Sequence, residues 1–205
     1  MLDPIKYLQL GEHSEIEFEN VPLHFEKGEF TEVFSRKNNK TVHETLLHHK
    51  YRKLRTETTN RYPDYLGWPV GKFLGQLKQA GDNFYLRYLN KYGDLTYCRF
   101  SIIEARFLKR KGIYAFTQEG KIRYIGRCKD NFKKRINNGY GRVDPKKCYL
   151  DGQATNCHLN ALITKSKSSV SLWIHILADD NIIERLEARL IELYNPPWNV
   201  LLKRV

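Results

Sequence analysis

Two short apolar runs, Gly112-Ile113-Tyr114-Ala115-Phe116 and Ile122-Arg123-Tyr124-Ile125-Gly126, flank a turn that carries Glu119-Gly120. Both runs are rich in β-branched and aromatic residues, which suit a pleated, half-buried surface. Gly120 supplies the turn, so the pair reads as a β-hairpin with one tyrosine, Tyr114 or Tyr124, on each strand. A basic segment follows at once. Asp130 or Asn131 caps a short helix in which Phe132 and Ile136, four residues apart, face inward. That spacing sets Lys133, Lys134 and Arg135 beside the hairpin.

A second fixed point lies further along. The apolar run 169–178, SVSLWIHILA, predicts a third, central strand. Asp179-Asp180-Asn181 then supplies an N-cap, a helix is expected over 182–194, and Pro196-Pro197 stops it. Glu187 lies four residues after Ile183 and four before Ile191, on or beside the apolar face of that helix. A carboxylate on a buried face needs a cation beside it, either a metal ion or an arginine.

Charge is distributed unevenly. The formal net charge is +12, with −6 over residues 1–35, +10 over 36–110 and +8 over 111–205. The positive charge beyond residue 35 is the footprint of a polyanion binder or of a basic soluble protein. Residues 36–62 are the most basic stretch. There Thr41 and Glu44 form a capping-box pattern, and Leu46, Leu47, Tyr51 and Leu54 fall at helical spacing. Lys50, Arg52, Lys53 and Arg55 cover the remaining surface and are candidate DNA-phosphate contacts, together with Lys133 and Lys134. The acidic arm 1–35 has a weakly strand-like alternation at Ile16 and Phe18.

Between these segments, a helix is expected over 70–80 with Gly81 as its cap, and strands over 84–89 and 95–103. The aromatics Trp68, Phe73, Phe84, Tyr85, Tyr88, Tyr92, Tyr97 and Phe100 suit a core, or stacking on bases. Residues 104–111 are the expected join between an N-terminal extension, 1–110, and a C-terminal domain, 111–205. The polar run 152–160 is expected as a turn-rich excursion. Cys98, Cys128, Cys148 and Cys157 lack C-x-x-C pairing and read as reduced thiols, with a zinc set of Cys128, Cys148, Cys157 and His158 as the alternative. No apolar run is long enough to span a membrane, and the N-terminus shows no secretory pattern. A cytoplasmic protein is therefore expected, without a membrane partner.

The ordered set Gly112-Ile113-Tyr114, Tyr124-Ile125-Gly126, Arg135, the helical Glu187-Ala188-Arg189-Leu190-Ile191 and Pro196-Pro197-Trp198-Asn199 resembles the GIY-YIG nuclease superfamily over residues 111–199. The resemblance implies an α+β fold, a three-stranded antiparallel sheet flanked by helices, here with an N-terminal α/β extension. It implies a DNA endonuclease in which Glu187 holds one Mg²⁺ (or Mn²⁺) and Tyr114 serves as or relays to the general base. Arg135 would stabilise the transition state, Tyr124 would orient water or phosphate, and Asn199 would tie the glutamate helix to the site. Many members carry a histidine four residues after the arginine. Gly139 stands there in this chain, so either His158 or Lys111 assists the base, or no such residue is used. With about 110 residues ahead of the module and six after Asn199, the layout is most similar to the small type II restriction endonucleases of the superfamily, acting on double-stranded DNA as homodimers. The alternatives are a mobile-element or phage endonuclease of low specificity, and a catalytically weak DNA-binding module.

Overall fold

The computed structural model describes residues 6–11 and 14–200. The architecture is mixed α+β with antiparallel sheets. Its strands are β1 (Tyr7–Gly11), β2 (Ser14–Glu17), β3 (Glu19–Val21), β4 (His24–Phe25), β5 (Phe100–Ser101), β6 (Gly112–Gln118), β7 (Lys121–Cys128) and β8 (Val170–Ile176). Its α-helices are α1 (Val42–Leu46), α2 (Arg55–Arg61), α3 (Val70–Gln79), α4 (Ala105–Leu108), α5 (Ala154–Lys165) and α6 (Asp180–Tyr194). No helix among the described residues is long and apolar enough to cross a membrane.

The chain divides into two compact units, and the division does not fall at residue 110. One unit joins the described part of Met1–Lys27 to Arg99–Gly141 and to the described part of Leu162–Val205; the other joins Gly28–Cys98 to Arg142–Ala161. Residues 104–111, expected as a join, lie inside the first unit, where α4 buries Phe107 completely.

The first unit is built on the four-stranded antiparallel sheet β3-β8-β6-β7. The expected hairpin is β6–β7. Its turn residues Glu119 and Gly120 both have positive φ, 53° and 72°, as a two-residue type I′ turn requires. The third strand, β8, pairs along the whole of β6, from Gly112↔Ile176 to Gln118↔Val170. Sequence reading counts three strands. The fourth is β3, a short piece of the acidic arm that pairs through Glu19↔Ile174, Asn20↔Trp173 and Val21↔Leu172.

Alternation along the strands separates two buried faces. Ile113, Ala115, Ile125 and Trp173 face Ile183, Leu190 and Ile191 of α6 and Leu8, Ile16 and Phe18 of the arm. Fully burying an aliphatic chain of this size stabilises by roughly 1.5–3 kcal/mol, so this face holds α6 against the sheet. Asp179 caps α6 by accepting from the Asn181 and Ile182 N–H groups at 2.7 and 3.0 Å. At the other end Asn195 turns left-handed, with φ 40°, and the prolines follow. On the opposite face lie Tyr114, Phe116 and Tyr124. They pack with Phe132 and Tyr140 from the segment after the hairpin.

That segment is not the plain helix expected. Lys133–Tyr140 winds in wide π-type turns, closed by Gly141 N–H donating to Ile136 O, five residues back, at 2.7 Å. Phe132, Ile136 and Tyr140 are its buried side chains.

The second unit has an aromatic core of Phe34, Tyr51, Phe73, Phe84, Tyr85, Tyr88, Tyr97 and Tyr149 with Val70, Leu74 and Leu77. The core reading of these rings therefore prevails over base stacking. The capping box forms as expected: Thr41 Oγ1 accepts from Glu44 N–H at 3.1 Å, and Glu44 accepts from Thr41 N–H at 2.7 Å. The helix it opens is shorter than its spacing suggests. It ends at Leu46, Leu47 is 61% exposed, and the chain re-caps at His48, whose Nδ1 accepts from Lys50 N–H. α3 runs as expected, with Gly81 at φ +74°.

Two expected strands are corrected. Residues Asn83–Tyr88 form a 3₁₀ turn, because Asp82 accepts from Phe84 N–H at 2.9 Å and the buried Phe84, Tyr85 and Tyr88 share one helical side. Of 95–103, only Phe100–Ser101 is strand, pairing with β4 in the first unit. In the second unit Tyr97 makes a single bridge to Phe30. The polar run 152–160 is no loop but the start of α5. Its Asn160 clamps the Cys98 main chain, accepting from N–H at 3.1 Å and donating to C=O at 2.9 Å.

Candidate active site

β7 is an outer strand of its sheet, and the sequence-chosen residues of the first unit gather along it. Tyr114 sits directly opposite Gly126 in the register. A Cβ at Gly126 would lie 2.5 Å from the Tyr114 hydroxyl oxygen, so only glycine lets the Tyr114 ring cross β7 here. Gly112 answers a different demand. Its φ is +148°, and a Cβ there would lie 2.1 Å from His175 O on β8. Both glycines of the motif are thus accounted for by close approach.

Tyr114 is buried, and its hydroxyl lies 2.7 Å from that of Tyr140. Tyr124 Oη is 3.2 Å from the same Tyr140 oxygen. Three phenols therefore share one hydrogen-bonded cluster, with Tyr140 at its centre. Burial pushes the Tyr114 pKa well above its ordinary value, and the neighbouring Tyr140 and Tyr124 push the same way, against the charge of Arg135. Tyr124 is raised likewise, first by burial and then by Tyr140, with the Glu187 carboxylate adding to the effect. In this state both are neutral phenols. The Arg135 guanidinium carbon lies 5.9 Å from the centroid of the Tyr140 ring, a cation–π contact.

Tyr140 was not among the residues chosen from sequence. Counting four residues from Arg135 reaches Gly139. The π-type winding closes its hydrogen bonds five residues apart, and it is Tyr140 that turns inward. The spacing Phe132, Ile136, Tyr140 was the available signal, since it continues the inward face by one more step of four.

Glu187 comes from α6 and is 8% exposed. Its Oε2 accepts from Arg127 Nη1 at 2.9 Å. Arg127 is thus the arginine partner that the sequence left open for Glu187. Burial still raises its pKa above the ordinary 4.5, against the charge and hydrogen bonds of Arg127 and the charge of Arg135. Glu187, Arg135 and Tyr124 are thus close enough for their charges to act on one another. Arg127 is the second residue that sequence reading missed.

Asn199 is buried and fastens the chain after α6 to the outer edge of β7. Its Oδ1 accepts from Ile125 N–H at 3.0 Å and its Nδ2 donates to Ile125 C=O at 2.7 Å. Trp198 N–H adds a bond to Arg123 O at 2.8 Å. These contacts cover a strand edge that would otherwise carry unpaired backbone groups, and they fix the end of the Glu187 helix beside Tyr124.

The remaining candidates have other partners or belong to the other unit. Lys111 Nζ is bound to Asp180 at 2.7 Å. His158 belongs to the second unit, where its ring centroid is 4.3 Å from that of Tyr92. Lys50, Arg52, Lys53 and Arg55 are also in the second unit and exposed. Lys50 donates to Leu150 O and Arg55 to Leu46 O, each at 3.1 Å, so those two have internal work. Lys134 pairs with Asp130, while Lys133 is exposed on the same turn. The four cysteines are buried and not joined in disulfides. The zinc alternative gains no support: no cluster of three or more His, Cys, Asp or Glu forms among the described residues.

A single Mg²⁺ makes a smaller demand. It keeps most of its waters and is held by one or two carboxylates plus substrate phosphate oxygens. One buried carboxylate paired with one partly exposed arginine fits that demand. No protein-family model, no curated protein and no solved structure matches the chain.

Proposed function

We propose that the chain is a divalent-metal-dependent DNA endonuclease, and specifically a site-specific restriction endonuclease of the GIY-YIG type, acting on double-stranded DNA in the cytoplasm as a homodimer. The observation that supports this most is convergence. Tyr114, Tyr124, Arg135, Glu187 and Asn199, spread over 86 positions of sequence from 114 to 199, all belong to one unit and gather along one strand, β7.

In this reading Glu187 holds Mg²⁺ or Mn²⁺ through a carboxylate oxygen. When bound, the ion polarises a phosphate oxygen and offsets charge on the leaving oxygen. Tyr114 lines up the attacking water through its hydroxyl. Its proton must be lost before it can accept one, and the nearby Arg135 favours that loss against burial. The water gives a proton to the deprotonated Tyr114 oxygen as its own oxygen bonds to phosphorus, the bond from phosphorus to the leaving deoxyribose oxygen breaks, and that oxygen takes up a proton from solvent. Arg135 offsets the charge that accumulates on the phosphoryl oxygens meanwhile. Tyr140 holds Tyr114 and Tyr124 in register.

A second reading draws on one observation. Arg127 already satisfies Glu187, as it would in a DNA-binding module that had lost catalysis. Incubating supercoiled and linear DNA with the purified protein and Mg²⁺ separates the readings. Discrete fragments are expected. A smear would instead indicate a nuclease of low specificity, and binding without cutting would indicate the module. Arg135→Ala is expected to slow cleavage by about 10²–10³-fold, the usual loss for one donor to a developing charge, and Glu187→Ala to reduce it to background. A Glu187→Ala protein that cuts at the wild-type rate would end the proposal.

A further inference from the structure

Arg127 is placed for a task beyond neutralising Glu187. Its guanidinium forks between two carboxylates on α6: Nη1 is 2.9 Å from Glu187 Oε2, and Nη2 is 3.6 Å from Glu184 Oε1. Glu187 and Glu184 are three residues apart, hence on neighbouring turns of one helix face. Their environments differ. The Glu187 side chain is 10% exposed, whereas that of Glu184 is 43% exposed and also takes Lys129 Nζ at 2.7 Å. Arg127 itself is 38% exposed along its side chain, on the outer strand of the sheet. Moving its guanidinium wholly onto Glu184 needs a change of side-chain torsions and no rearrangement of β7 or α6.

We infer that Arg127 is an exchangeable counter-ion, holding the Glu187 carboxylate in the metal-free protein and passing to Glu184 when a divalent cation takes its place. The inference rests on the endonuclease reading, in which Glu187 is the metal ligand. The physical reason is competition. A buried carboxylate that stays ionised cannot stand alone, so in its charged form it keeps a cation beside it. A divalent ion and a guanidinium on the same carboxylate would repel each other at short range in a poorly solvated place. Metal binding must therefore displace Arg127, and the free energy of its ion pair is subtracted from the metal's affinity. Glu184 lowers the cost of release, because it accepts the displaced cation in solvent, where sharing a carboxylate with Lys129 costs little. DNA phosphates would supply a second destination for Arg127 and so favour metal loading on substrate, a coupling that works in both directions.

Calorimetric titration of Mn²⁺ into the full-length metal-free protein tests this without reference to cleavage. Arg127→Ala is expected to bind Mn²⁺ about tenfold or more tightly than wild type, a gain of about 1.4 kcal/mol. Arg127→Gln, which keeps hydrogen-bonding reach without the charge, is expected to follow it. The Gln variant decides the matter if the Ala variant does not fold. Unchanged or weaker binding in the Gln variant would overturn the exchange. Glu187→Gln separates that failure from a deeper one. If Glu187→Gln abolishes Mn²⁺ binding while the Arg127 variants bind no tighter, the exchange alone is wrong. If Glu187→Gln leaves Mn²⁺ binding as in wild type, or wild type binds none, the metal role of Glu187 fails and the inference goes with it.

Discussion

On one side of the candidate site, three phenols meet in a buried cluster, each hydroxyl within 3.2 Å of another, with burial raising the pKa of Tyr114 and Tyr124. On the other side, a carboxylate of similar burial is held by an arginine whose side chain is partly in solvent and within reach of a second glutamate. The tyrosine side is close-packed: its glycine, its rings and its π-type turn meet within one buried cluster. On the glutamate side one arginine reaches two carboxylates of unequal exposure. A site that positions water and phosphate needs the first kind of construction, and a site that must take up a metal ion needs the second. The contrast can be broken from either side by substitution.

The largest effect is expected in the packed cluster. Tyr140→Ala should cost about 3–5 kcal/mol in urea unfolding, the range for deleting a large buried aromatic. Tyr140→Phe keeps the ring and removes only the shared hydroxyl. It should cost about 1–3 kcal/mol, because the Tyr114 and Tyr124 hydroxyls lose their buried partner. If Tyr140→Phe were as stable as wild type, the cluster would be held by ring packing alone and its hydroxyls would be open to other partners.

Asn199 lies between the two sides, since it joins the glutamate helix to the strand that carries Tyr124. Asn199→Ala strands the Ile125 N–H and C=O and should cost about 1–3 kcal/mol, seen as a melting point lower by roughly 2–4 °C per kcal/mol for a chain of this size. Asn199→Asp keeps the acceptor for Ile125 N–H but turns a carboxylate oxygen against Ile125 C=O. It should be no more stable than Asn199→Ala. A stable Asn199→Asp protein would mean that only the accepting half of this clamp matters.

Most of what was legible in the sequence is local. Gly120, the Thr41–Glu44 box, Asp179 and the Pro196-Pro197 stop each fix a few residues by their own chemistry, and each appears where it was expected. The buried side of Glu187 was legible too, from its spacing to Ile183 and Ile191. What misled was composition without a cap. Phe84–Leu89 has the aromatic content of a strand, but Asp82 starts a 3₁₀ turn there. The polar run before Asn160 has the content of a loop, but its asparagine serves a backbone clamp on α5. Tyr140 was partly legible, as one more step of four beyond Phe132 and Ile136. Arg127 was hidden, because its role depends on β7 and α6 meeting across 60 positions of sequence, a distance that residue type does not carry.

The smallest effect concerns the glutamate side alone. Burial raises the Glu187 pKa above 4.5 even with Arg127 beside it. The folded state therefore binds the proton more tightly than the unfolded state, and this group's contribution to stability falls as pH rises through the interval between the ordinary and the raised value. Above that interval the loss is complete and constant. Glutamine at 187 keeps the shape without the charge, and Arg127 retains Glu184 as a partner. In metal-free buffer, Glu187→Gln is therefore expected to match wild type below pH 4.5 and to melt above it at neutral pH, the gap opening as pH rises. Melting curves in a chelator across that range measure the gap directly. A variant less stable than wild type at neutral pH would show that the Arg127 pair more than offsets the burial of the carboxylate. The glutamate side would then be a fixed structural bridge, built like the tyrosine side.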